Sequence, residues 1–339
     1  LMPAVTPPPA AARRLRRLTV LAVVLVVAVA VVLQTLADRW WPATALMFAP
    51  RWPWALPLLA LLPWLLWRGR RLLPLWATGL ALWVLGVAGM NLPLAPEAWG
   101  LGDGAADLRV ASYNMGGVKT SPAAMAELLG RIAPDVMAVQ ECDADVVKGL
   151  QPLGWQVAVG YGSCLVSRHR IVKTEQRDQQ AIWAMGGSGV IVRYTLDLLG
   201  QPVTLVNLHL ETVREGLAAV LSREGDAAAA MAENLAQRDL ESLLARQFVR
   251  EAQAPVIVTG DFNMPVESAL YRRDWADLTN AFHAAGWGAG ATKHTRWHGI
   301  RIDHVLTGPG WRTVRAAVGP DLGGDHHPMV ADLRLSAAR

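Results

Sequence analysis

Residues 18–36, LTVLAVVLVVAVAVVLQTL, form an unbroken apolar run in which Thr19, Gln34 and Thr35 are the polar side chains and none is charged. As a helix, a run of this length extends roughly 28 Å, about one bilayer hydrocarbon core. Such a segment must be covered by lipid or by protein. A second apolar stretch spans 46–67, interrupted by Arg51, Pro53, Pro57 and Pro63, and a third spans 72–90. Membrane helices accept proline where neighbours satisfy the freed carbonyls. Trp40, Trp41, Trp52, Trp54, Trp64 and Trp67 cluster near the proposed ends, as interfacial tryptophans do. The pattern predicts an anchor over 1–91 with about three transmembrane helices. Two other readings compete. A cleaved signal peptide would use RRLRR as its basic region, but the run is long for one and no clear A-x-A site follows. A buried helical domain of a soluble protein is the other.

Charge orients the anchor. Arg13, Arg14, Arg16 and Arg17 precede the first run, and Arg68, Arg70 and Arg71 separate the second from the third. The positive-inside rule puts both groups in the cytoplasm. Three crossings then leave the remainder outside a bacterial-type inner or plasma membrane. Residues 1–100 hold nine arginines and two acidic residues, a net +7, whereas the rest of the chain carries −3 of the overall +4. The basic isoelectric point of about 9.4 therefore belongs to the anchor and does not mark a nucleic-acid surface.

Residues 92–107 are rich in proline and glycine, lack periodicity and read as a linker. From residue 108 to 339 the texture becomes that of one α/β domain. Strands are predicted at 108–113, 135–140, 155–159, 163–167, 189–197, 203–209, 255–260, 301–307 and 328–335. Helices are predicted at 121–132, with Ser121 as N-cap and Pro122 in the first turn, and at about 226–252. Cys142 and Cys164 exclude a cysteine-rich zinc module. They fall after and within neighbouring strands, so an extracytoplasmic domain could join them as one disulfide. Two buried thiols are the alternative.

Several strands end in polar residues that packing does not call for. Asn114 follows LRVASY, Glu141 follows DVMAVQ, His209 ends VTLVNL, and Asp261 and Asn263 follow VIVTG. Asp303 lies inside an apolar strand, where an unpaired carboxylate is costly, and Asp325 and His326 precede the last strand. Carboxylate, amide and imidazole groups gathered at strand ends suggest one site on a sheet edge. Hard oxygen donors suit Mg2+, with Mn2+ as an alternative.

In the order SYNMGG, PDVMAVQEC, VNLHLE, VTGDFNMP, RIDHVLT and GGDHHP, these segments resemble the endonuclease/exonuclease/phosphatase superfamily over most of 108–335. The resemblance implies a two-sheet α/β sandwich of the deoxyribonuclease I-like fold and metal-dependent phosphodiester hydrolysis. It implies Asn114, Glu141 and Asp325 at the metal, with Glu141 the principal ligand. It implies His209 and Asn263 at the phosphate, Asp261 on the attacking water and His326 on the scissile phosphate. Asp303 would support either His209 or His326. The usual serine of the last motif is Gly324 here. His294 and His298 are expected in a polar surface loop, His304 in a strand, His327 in solvent, and Arg168 and Arg170 at a hairpin end.

The fold serves several phosphoesters, so substrate must come from elsewhere. The mildly acidic domain and its small size argue against extensive duplex contacts. An outward-facing anchored domain suits extracellular nucleic acid first and a phospholipid headgroup second. An inactive, membrane-tethered binding module is the alternative of another class.

Overall fold

The computed structural model describes residues 9–93, 96–99, 104–116, 118, 120–222, 226–253 and 255–336. Parts of the expected anchor, linker, first motif and Ala-rich segment (1–8, 94–95, 100–103, 117 and 223–225) lie outside the described residues. The chain divides into two compact units, Leu1–Met90 and Asn91–Arg339.

The first unit is helical: α1 (Pro9–Leu36), α2 (Trp41–Phe48), α3 (Leu56–Arg68) and α4 (Leu73–Leu82). Ala22, Val26, Val29 and Leu33 fall three or four residues apart on α1 and pack in one core with Met47, Leu58 and Val87. The expectation of about three spans is corrected. Among the described residues, Ala10–Leu36 is the one continuous helix long and apolar enough to cross a membrane. The second stretch breaks because Pro50 forces Ala49 into an extended conformation (φ −80°, ψ 162°), which ends α2. The pieces Trp41–Phe48 and Trp52–Arg68 meet at 88°. The third stretch is α4 plus a π turn, Trp83–Val87, roughly 22 Å of helix and shorter than a bilayer core. Arg51 donates to the carbonyls of Val87 (3.1 Å) and Met47 (3.3 Å), so it serves helix ends.

The second unit contains every strand expected from sequence, with ends shifted by at most two residues. These are β1 (Leu108–Asn114), β2 (Val136–Gln140), β3 (Gln156–Val159), β4 (Ser163–Ser167), β6 (Val190–Leu198), β7 (Gln201–His209), β8 (Val256–Asp261), β12 (Asp303–Thr307) and β14 (Met329–Leu335). Added to them are β5 (Arg170–Gln176), β9 (Thr279–Asn280), β10 (Lys293–His294), β11 (Gly299–Ile300) and β13 (Trp311–Val318). Two six-stranded sheets run β13-β14-β1-β2-β4-β3 and β5-β6-β7-β8-β12-β9, and β10 and β11 form a separate hairpin. Among the described residues, parallel pairing is confined to β1–β2 and β7–β8.

The sheets stack face to face. Val110, Val136, Ala138 and Leu165 of the first sheet meet Val192, Tyr194, Leu205, Ile257 and Val305 of the second. Helix α5 (Pro122–Ile132), capped by Ser121, covers the outer face of the first sheet through Met125, Leu128, Leu129 and Ile132. After the short helices α6 (Ala144–Lys148), α7 (Gln179–Ala184) and α8 (Arg214–Ser222), helix α9 (Ala227–Arg250) covers the second sheet through Ala245, Phe248 and Val249. Central strands are therefore buried on both faces, which is why they read as continuous apolar runs. Near one end of the stack a buried amide network joins the sheets. Gln140 Nε2 donates to Asn207 Oδ1 (2.6 Å), and Asn207 Nδ2 donates to Ser163 Oγ (2.7 Å).

Candidate active site

Gln140 and Asn207 lie one and two residues before Glu141 and His209, so the amide network underlies the strand ends where the polar residues gather. β1 and β2 run parallel and end together, delivering Asn114 and Glu141. β7 and β8 do the same for His209 and Asp261, which are register partners. β12 runs antiparallel to β8 and places Asp303 opposite Asp261. The loop before β14 brings Asp325 and His326. Gly260 aims Asp261: its φ is +140°, and a Cβ there would lie 1.9 Å from the carbonyl oxygen of Leu208. No side chain fits at that position.

The two sheets meet through side chains. Asn114 Nδ2 donates to Glu141 Oε1 (3.2 Å) and to Asp261 Oδ2 (3.0 Å), while its Oδ1 accepts from the Gly116 N–H (2.8 Å). Glu141 adopts φ +48°, a conformation unusual outside glycine, asparagine and aspartate. Its neighbour Cys142 is disulfide-bonded to Cys164 of β4, closing the choice between bridge and thiols. His209 Nε2 sits between Glu141 (3.8 Å) and Asp261 (3.9 Å). Asn263 also has positive φ (50°), donates its main-chain N–H to Asp261 Oδ1 (2.8 Å) and its Nδ2 to the Leu210 carbonyl (2.8 Å).

Asp303 pairs with His326 rather than His209. His326 Nδ1 lies 3.0 Å from Asp303 Oδ2, and its Nε2 lies 3.7 Å from Asp261 Oδ2. All three residues are buried. Burial lowers the proton affinity of His326, but the Asp303 charge and hydrogen bond, with Asp261, outweigh it and raise its pKa. Burial and repulsion from Asp303 push the Asp261 carboxyl up, against His326, His209 and the Asn263 N–H. Asp303 Oδ1 is buried with no hydrogen-bond partner among the described residues. Asp261, Asp303 and His326 each offer a ligand atom within 4.8 Å of the others. An unanswered carboxylate oxygen and an over-negative buried cluster are what a divalent cation would satisfy.

Asp325, expected with Asn114 and Glu141 at a metal, pairs its Oδ2 with Lys293 of β10, while its Oδ1 lies over Gly116 on the Asn114 side. Lys293 was not anticipated, because a two-residue strand leaves no periodic signal. Arg238 is another such residue: it is fully buried on α9 and donates Nη2 to the Asn263 carbonyl (3.0 Å), fixing the turn after β8. His304 is a buried strand residue, as expected. Its ring bonds the Met264 carbonyl and the Asn280 amide, and burial drives its pKa down to about 3. The rings of His294 and His327 stack with centroids 4.1 Å apart, and Arg168 lies over Trp155.

Comparison with known proteins identifies the fold. No curated protein matches the chain. Among solved structures, humanized D. rerio TDP2 carrying 14 mutations superposes with a TM-score of 0.52 at 17% identity, covering 67% of this chain and 98% of that one. D. rerio TDP2 complexed with single-strand DNA product gives 0.51 at 16% identity over the same shares. An endonuclease/exonuclease/phosphatase from Beutenbergia cavernae DSM 12333 gives 0.50 at 20% identity, covering 68% and 72%. These likenesses establish the deoxyribonuclease I-like sandwich. Residues 111–326 match the endonuclease/exonuclease/phosphatase family, so the chain belongs to that family and is a metal-dependent phosphoric ester hydrolase.

Proposed function

We propose that this protein is a membrane-anchored, magnesium-dependent phosphodiesterase that cuts nucleic acid outside the cytoplasm. The observation that carries the chemistry is the buried series Asp303–His326–Asp261 beside the Asn114–Glu141 pair. The Glu141 carboxylate and the Asn114 amide oxygen are hard donors that fit a divalent ion, and we assign them to hold it beside the Asp261–Asp303–His326 cluster. When bound, magnesium supplies Lewis-acid charge to a phosphoryl oxygen.

The chain's own groups do the rest. Asp303 accepts from His326 Nδ1, which fixes the ring and favours its imidazolium form. His326 then presents Nε2–H to the developing charge on the phosphoryl group. Asp261, held by the Asn263 N–H and by Asn114, orients or deprotonates the attacking water. His209 and Asn263 contact the phosphate from the second sheet.

Helix α1 supports the anchor. The arginines in its first turns favour a cytoplasmic N-terminus, and a single crossing carries the catalytic unit outward. The Cys142–Cys164 disulfide suits an oxidising compartment. Nucleic acid takes precedence because a zebrafish protein of the same fold was captured with a single-stranded DNA product. The test is nicking of supercoiled plasmid by the full chain in detergent with magnesium, beside EDTA and Asp261→Ala. Nicking that requires both magnesium and Asp261 supports the proposal. Headgroup release from liposomes without nicking would transfer it to phospholipid.

A further inference from the structure

The segment 292–294 is fastened to the catalytic loop at several points. Lys293 forms an antiparallel bridge with His326. The His294 N–H donates to the Asp325 carbonyl (2.7 Å), and the His327 N–H donates to the Thr292 carbonyl (2.6 Å). Thr292 Oγ1 also accepts from the N–H groups of Ile302 (3.2 Å) and Asp303 (3.1 Å). One short stretch thus fixes the main chain around both Asp303 and His326.

Lys293 extends from this stretch with its side chain only 15% exposed, and its ammonium is paired to Asp325, whose side chain is 47% exposed. A lysine free to roam the surface would not be so covered. An ammonium has three N–H donors. Among the described residues its hydrogen-bond partner is Asp325, which leaves donors for a further oxygen. The site also holds the carboxylates of Glu141 and Asp261 at His209 and of Asp303 at His326, so an anionic phosphodiester needs cationic help to approach.

We propose that Lys293 is a catalytic residue of this site: Asp325 holds its ammonium beside His326, and Nζ binds a non-bridging oxygen of the substrate phosphate. Asp325 is then a positioning residue for Lys293 and not a magnesium ligand. This rests on the phosphodiesterase reading and names a further cation of the same site.

The test uses the full chain in detergent, with Lys293→Met, Lys293→Arg, Asp325→Asn and Glu141→Gln. Hydrolysis of bis(p-nitrophenyl) phosphate is measured alongside inhibition by inorganic phosphate and the rise in melting temperature caused by magnesium alone. Lys293→Met is expected to lower kcat/KM about 100-fold, as loss of one oxyanion donor does. It should weaken phosphate inhibition at least about tenfold, leaving the magnesium-induced rise intact, and Lys293→Arg should restore part of both. Asp325→Asn should follow Lys293→Met, while Glu141→Gln should abolish the magnesium response. Phosphate inhibition unchanged in Lys293→Met would overturn the proposal. So would loss of the magnesium response in Asp325→Asn, which would make Asp325 a metal ligand. If the wild-type chain hydrolyses no diester, the phosphodiesterase reading fails on its own, and phosphate binding to wild type and Lys293→Met still decides the role of Lys293.

Discussion

Replacing Asp303 by asparagine isolates the electrostatic support of His326 while keeping nearly the same shape. Opposite charges at the observed 3.0 Å attract by about 5 kcal/mol at an effective dielectric of about 20. Desolvation offsets part of this. If about half is lost in the transition state, the rate falls about 100-fold, since each 1.4 kcal/mol is roughly tenfold. The pH dependence should also move. Burial depresses the pKa of His326, and Asp303 is the main force raising it again. In Asp303→Asn burial prevails, the imidazolium is lost at lower pH, and the alkaline limb of kcat/KM shifts toward acid. The assay is hydrolysis of bis(p-nitrophenyl) phosphate by the full chain from pH 5 to 9, with circular dichroism to confirm folding. A rate within about threefold of wild type and an unmoved alkaline limb would refute the idea that Asp303 carries the charge state of His326.

Two further outcomes follow from residues outside the reaction. Glu241 of α9 is buried, accepts from the Gly189 and Glu211 N–H groups, and has its pKa pushed up to about 7, mainly by burial. The fold therefore favours its neutral form. The associated stability is complete below about pH 4.5, is lost as pH rises through about 7, and amounts to at most about 3 kcal/mol. Urea melts at pH 5 and 8 should show this loss in wild type and little of it in Glu241→Gln; equal slopes would exclude Glu241 as the source. The Cys142–Cys164 bridge joins residues 22 apart, so its reduction should cost about 3 kcal/mol by loop entropy. Urea melts with and without reductant measure that cost, and coincident curves would show the bridge to be energetically silent.

The strand ends were legible because both faces of the central strands are buried. Against continuous apolar runs such as VMAVQ and VTLVNL, a terminal Glu141 or His209 stands out. In the helical unit hydropathy misleads, because it counts residues and ignores continuity. Pro50 breaks the second stretch whatever its average. β5 and β13 escaped notice because each is an edge strand with exposed polar positions, as in RIVKTEQ, and its apolar alternation is weak. The polar residues that gather at the strand ends could be named from their motifs. Their pairings could not: Asp303 with His326, Lys293 with Asp325 and Arg238 with Asn263 are all long-range contacts, and no local pattern encodes them.

The division of the site between sheets has a consequence for assembly. Asn114, Glu141 and His326 arrive with the first sheet; His209, Asp261 and Asp303 arrive with the second. Neither half contains a complete constellation. A partly folded chain with one finished sheet therefore lacks half of these groups until the second sheet docks. A phosphate that touches both halves favours the docked state by mass action and closes the structure last, like a clasp.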